Sequence, residues 1–202
     1  MPSPLRLIVS NVPAKSKVTE TSELSSVPRN RYLVFAGLAV FGCIADLVTK
    51  HWVFQWRGMP TFDNQWWLIE GYVGVETALN DGAVFGFGSG FGYVFAALSI
   101  VAAIGILIWL FWLGAAHDWM LTIALGSVMG GIGGNLYDRL GLWQNPEHPG
   151  QWRNEVRDWI LLRYQDFTWP NFNIADSLLV FGAFLLVCHG FFQKEPPAKT
   201  PR

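Results

Sequence analysis

Residues 119–139 read WMLTIALGSVMGGIGGNLYDR, an apolar run that closes on Asn135, Asp138 and Arg139. Inside it Gly126, Gly130 and Gly134 recur at four-residue spacing, with Ser127 and Gly131 beside them. That spacing stacks small side chains along one face of an α-helix, and such a face lets membrane helices approach closely. The segment therefore predicts a transmembrane helix over 119–137 in the middle of a bundle. Working outward, three further stretches supply the roughly 20 mainly apolar residues that a hydrocarbon core requires. They are 32–53, 91–113 and 172–192.

Composition agrees with four spans. Charged residues make up 14% of the 202-residue chain, against about 25% in soluble proteins. With 51% hydrophobic residues, this excludes both a soluble globular enzyme and a disordered chain. A formal charge of −1 removes the electrostatic case for a nucleic-acid partner. Cys43 and Cys188 lie inside apolar runs, so no disulfide framework or zinc site is suggested. Val40-Phe41-Gly42-Cys43 imitates a lipoprotein processing site, but the bulky Phe41 and the apolar run beyond Cys43 read as membrane helix.

Residues 1–30, with Pro2, Pro4, Pro13 and Pro28, read as a disordered tail, and 194–202 as a second tail. Between them 31–193 reads as a single four-span domain. Arg29, Arg31, Lys194, Lys199 and Arg202 flank the outermost spans. This bias places both tails in the cytoplasm and segments 54–90 and 140–171 outside. Val73, Val75, Thr77 and Leu79 alternate as on a half-buried strand, whereas Trp152, Val156, Trp159 and Ile160 recur at helical spacing. The expected fold is an all-α membrane protein. It is a four-transmembrane-helix bundle with a small extracytoplasmic β element and a short extracytoplasmic helix.

Ionisable groups are costly inside a bilayer, so they face a partner or a cavity. Here they share one depth. Asp46 and Lys50 lie in the outer third of the first span. Asn135, Asp138 and Arg139 end the third, Asn173 and Asp176 open the fourth, and Asn80 and Asp158 sit in the outside segments. Singly, several have structural readings. Asp46 and Lys50 stand at i,i+4 and can pair internally; Asp138 and Arg139 can neutralise a helix end; the asparagines can cap backbone. Asp176 has no neighbouring cation on its helix. Other catalytic sets fail on topology: Ser89 and His189 lie at opposite faces, about 30 Å apart, and the histidines are too scattered for a metal site. Paired carboxylates remain, which can share one proton and divide acid and base roles between them.

Four blocks then resemble the lipoprotein signal peptidase (signal peptidase II) family of bacterial inner-membrane aspartic endopeptidases. Asp46-Leu47-Val48-Thr49-Lys50 is similar to its D-x-x-T-K, and Asn80-Asp81-Gly82-Ala83-Val84-Phe85-Gly86 to N-x-G-A-A-F-G. Gly130 to Arg139 is similar to G-G-x-x-G-N-x-x-D-R, and Phe172 to Ser177 to F-N-x-A-D-S. The resemblance implies Asp158 and Asp176 as catalytic residues, with Asn80, Gly82, Asn135, Arg139 and Asn173 binding substrate or holding the dyad. It implies supporting roles for Asp46, Lys50 and Asp138. It further implies a diacylglyceryl-modified prolipoprotein substrate cut just before its lipidated cysteine, globomycin-type inhibition, and no metal or cofactor. Membrane lipids are expected partners and a monomer the expected state.

Two substitutions and one longer segment depart from the pattern. Val156 to Ile160 is similar to the family's V-x-D-F-I, with Trp159 in place of its Phe, and Val84 replaces an Ala of the second block. Leu140 to Glu155 exceeds the family's short link, leaving Asp138 and Asp166 as rivals to Asp158. This insertion is expected to form a lid or rim over the cleft. The non-enzymatic alternative is a small transport or channel subunit with Asp46, Asp138 and Asp176 as an ion path. Against it, no chain of ionisable residues reaches the inner side.

Overall fold

A computed structural model describes residues 26–62, 64–82 and 90–192. The expected tails before residue 26 and after 192, and the Ala83–Gly86 part of the second motif, lie outside these residues. Four helices carry the fold: α1 (Arg29–Arg57), α2 (Gly92–Leu107), α3 (Trp119–Arg139) and α4 (Ile174–Phe192). Helix α2 runs on through a π-helical turn at Ile108–Trp112. All four are long and apolar enough to cross a membrane, α2 with that turn included. Their ends differ slightly from the sequence reading: α1 continues to Arg57, and α4 starts at Ile174 because a strand occupies Phe167–Phe172.

Helix α3 is the buried centre. Its glycine face works as the spacing predicts, with Gly126, Gly130 and Gly134 set against Leu38, Gly42 and Asp46 in that order. α1 and α3 are therefore parallel. On its other side Gly131 meets Ala175, and Ala124 and Val128 meet Gly182, so α4 runs antiparallel to α3. The start of α3 is capped by Asp118, whose Oδ1 accepts the Met120 and Leu121 amides at 2.7 and 3.0 Å. At that same end the Arg31 guanidinium donates to the carbonyls of Ala116 and His117.

At the opposite end lies a four-stranded antiparallel sheet in the order β1 (Trp66–Ile69), β2 (Val73–Asn80), β3 (Val156–Tyr164), β4 (Phe167–Phe172). The protein is thus mostly helical rather than all-α. The alternation at Val73–Leu79 does mark a strand. The helix expected around Trp152–Ile160 does not form: from Val156 the chain is strand β3, paired with β2 through Ala78↔Asp158 and Asn80↔Val156. Arg157 and Asp158 are both buried, so polarity there does not report the solvent side. The strand's period of two is hidden, and an accidental helical spacing remains.

The long segment after α3 is folded back on itself. The Trp152 indole donates to the Leu140 carbonyl at 2.8 Å, and the Trp143 indole to the Glu155 carbonyl at 3.3 Å. Gly141 adopts φ +66°, with the Trp152 ring where a Cβ would stand. Glycine is needed there on both counts.

Candidate active site

Between the sheet and α2, α3 and α4 lies a cavity of about 1770 Å³. Asp158, from the middle of β3, and Asp176, from the first turn of α4, both line it. Asn173, the last residue before α4, joins them. Its side-chain Nδ2 donates to Asp158 Oδ1 at 2.6 Å, its backbone N–H donates to Asp176 Oδ2 at 3.1 Å, and its Oδ1 accepts the Asp176 amide at 2.9 Å. Asn80 Nδ2 reaches Asp158 Oδ2 at 3.0 Å, and Asn135 Nδ2 reaches Asp176 Oδ1 at 2.8 Å. Every oxygen of the two carboxylates thus accepts a neutral N–H.

Asp158 is only 2% exposed. Burial, followed by the nearby Asp176 carboxylate, pushes its pKa up to about 7 against the opposing pull of Asn80, Lys50 and Asn173. Near neutral pH Asp158 can therefore hold a proton.

Behind this layer stands a buried ionic one. Lys50 Nζ lies 2.7 Å from Asp46 Oδ2 and 3.2 Å from Asp138 Oδ2, all three residues fully buried. It also donates to Asn135 Oδ1 at 2.9 Å. Asp138 takes Arg157 through Nη2 at 2.7 Å and Nε at 3.2 Å, and accepts the Arg157 amide at 3.0 Å. The expected Asp46–Lys50 pair forms, and Asp46 Oδ1 also accepts the Ala175 amide at 2.9 Å, tying α1 to the start of α4.

The structure separates the rival carboxylates. Asp138 is neutralised by two cations and does not line the cavity, and Asp166 is exposed in the β3–β4 turn. Arg139 does line it. One Nη2 donor holds the Gly82 carbonyl at 2.9 Å, and its buried Nη1 has no partner among the described residues. Gly82 is in turn fixed by its amide on Asn80 Oδ1 at 3.0 Å. Arg157, which the sequence analysis does not single out, holds Asp138 and so anchors the strand next to Asp158.

The expected lid is not over the cleft. Residues 140–155 line none of the described cavity; Leu142, Trp143, Gln144 and Pro146 face α1 in a separate cavity of about 740 Å³. The two tryptophan clips draw the segment to that side.

The family model for signal peptidase (SPase) II, Peptidase_A8, matches residues 38–192. The chain belongs to the signal peptidase II family. A lipoprotein signal peptidase of Rhodopirellula baltica is 52% identical over 185 residues, covering 91% of this chain and 83% of that protein. One from Pseudoalteromonas atlantica is 33% identical, covering 83% and 94%. The fold is also that of two solved bacterial membrane enzyme structures, at TM-scores of 0.64 and 0.62 and 24% identity. They cover 84% and 82% of this chain and 94% of each structure. Signal peptidase II membership makes the chain an aspartic peptidase and sets the transport reading aside.

Proposed function

We propose that this membrane aspartic endopeptidase removes the signal peptide of diacylglyceryl-modified prolipoproteins, cutting just before the lipidated cysteine with Asp158 and Asp176 as its dyad. The observation that carries the reading is the pairing of these two carboxylates through Asn173 in the wall of the large cavity. Asp176 takes a proton from water as its oxygen attacks the scissile carbonyl, and Asp158 donates its proton to the developing oxyanion. Collapse of the tetrahedral intermediate returns the proton on Asp176 to the leaving nitrogen and that of the intermediate's hydroxyl to Asp158. The unpartnered Nη1 of Arg139 supplies a donor for a substrate carbonyl. No metal or organic cofactor enters this scheme.

Basic residues at the Arg29–Arg31 end of α1 support cytoplasmic termini in the bacterial inner membrane. The dyad, at the far end of that helix, then stands at the outer face. Globomycin-type inhibitors would occupy the same cavity, among surrounding membrane lipids, and a monomer would suffice. The test is cleavage of a diacylglyceryl prolipoprotein by purified enzyme. Asp158→Asn and Asp176→Asn are each expected to lose roughly a thousandfold in rate or more. A variant of either that cuts normally while folded would overturn the dyad.

A further inference from the structure

The cavity has two unlike ends on either side of the dyad. One is apolar and runs along α2 and α4, past Leu98, Ala102, Phe181 and Phe184. The other lies under the sheet, where Thr61, Glu76 and Asn171 line it beside Leu162, Trp169 and Pro170. Glu76 is brought there by an irregularity in the ladder. Between Val75↔Ile160 and Ala78↔Asp158 strand β2 spends one residue more than β3, a bulge of the kind that re-aims side chains. As a result Glu76, Thr77 and Ala78 all line the cavity in succession.

The Glu76 carboxylate is held but not neutralised. Gln65 Nε2 donates to Oε1 at 2.9 Å and Asn171 Nδ2 to Oε2 at 3.1 Å. Asn171 Nδ2 also reaches the Glu76 carbonyl at 2.9 Å, fixing the β2–β4 side of the wall. Arg163 stops one residue short, on Gln65 Oε1 at 3.3 Å. Among the described residues Glu76 has amide partners and no cationic one. A preoriented anion in a half-buried wall attracts a positive group and repels a negative one more strongly than it would in bulk water.

We infer that Glu76 is a specificity-determining residue, selecting a cationic over an acidic side chain immediately after the lipidated cysteine. The inference rests on the peptidase reading above. A signal peptide laid with its apolar stretch between α2 and α4 and its scissile bond at the dyad carries its mature end under the sheet. Glu76 lies two residues along β2 from Ala78, the strand partner of Asp158, at most about 7 Å away because the bulge shortens the regular strand rise. That is the reach of the next residue or two of an extended substrate.

The experiment uses diacylglyceryl prolipoprotein peptides that differ only in Lys, Gln or Asp after the cysteine. Wild type should cleave them in the order Lys, Gln, Asp, with a Lys-to-Asp ratio in kcat/KM of about tenfold. The ratio should shrink in high salt. Glu76→Gln should bring it close to one, and Glu76→Lys should invert it. Because each ratio is internal to one preparation, partial misfolding of a variant cancels. Equal wild-type rates on all three peptides, or a ratio that survives in Glu76→Gln, would overturn the inference while leaving the peptidase reading intact. Failure of wild type to cut any of them would instead remove the reading on which it rests.

Discussion

A primary amide can present either its oxygen or its nitrogen to a neighbour, and around the dyad that choice is removed three times. Asn80 Oδ1 is claimed by the Gly82 amide, Asn135 Oδ1 by Lys50 and Asn173, and Asn173 Oδ1 by the Asp176 amide. Each NH2 must then face a carboxylate. Neutral donors stabilise these carboxylates only partly, so Asp158 still feels its burial and titrates near neutrality. Its folded-state pKa lies above the unfolded value of about 3.9. The native state therefore binds the proton more tightly, and stability is lost as pH rises from the unfolded pKa through about 7. Asp158→Asn should remove that loss. Relative to wild type, its melting temperature in detergent should rise between pH 4 and pH 8 by an amount worth up to about 4 kcal/mol, over a pH-independent cost of setting its new NH2 against that of Asn80 or Asn173. A difference that stays constant with pH would contradict the burial argument. Much of this layer is legible from sequence, since every unusual polar residue maps to one depth. The Arg157–Asp138 clasp is not, because a basic residue in an outside segment carries no mark of burial.

Packing of the elements turns on α3. A Cβ at Gly131 would meet the Ala175 carbonyl oxygen and Leu179 well inside van der Waals contact, whereas Gly37 on α1 has nothing within 4 Å. Gly131→Ala must push α4 away from α3, at a cost of about 1 to 3 kcal/mol. Because Ala175 is adjacent to Asp176, cleavage should fall as well. Gly37→Ala should be neutral or stabilising by up to about 1 kcal/mol, since alanine is the better helix former. Thermal unfolding of the two variants beside wild type checks the contrast, and equal melting temperatures would deny α3 its central role. The glycine repeat announces this contact because period and residue size act together on one face. Strand β3 announces nothing comparable. Its buried Arg157 and Asp158 erase the polar–apolar alternation, and Val156 with the run 159–162 suggests an element without fixing its period.

For the whole molecule the course of the long segment after α3 leaves the cleft wall to other elements. Length alone suggests a cover, since extra chain next to a catalytic strand has to go somewhere. Its tryptophans settle the side. Trp152 on the Leu140 carbonyl and Trp143 on the Glu155 carbonyl close the segment upon its own base, and its middle turns toward α1. The contacts that hold Asp158 come from elsewhere: Asn80 on β2, Asn173 before α4, and Arg157 anchored by Asp138. Removing Gln144–Gln151, with Trp143 and Trp152 retained, leaves all three in place. The shortened enzyme should cleave the diacylglyceryl substrate with kcat/KM within about threefold of wild type, because it loses no residue of the cleft wall. Stability should fall instead, as Trp52, Phe54 and Met59 in the α1-side cavity lose part of their cover. Matched kinetics and thermal unfolding separate the two effects. A large rise in KM with unchanged melting would mean that the segment reaches the substrate after all, by a closure that opens its tryptophan clips.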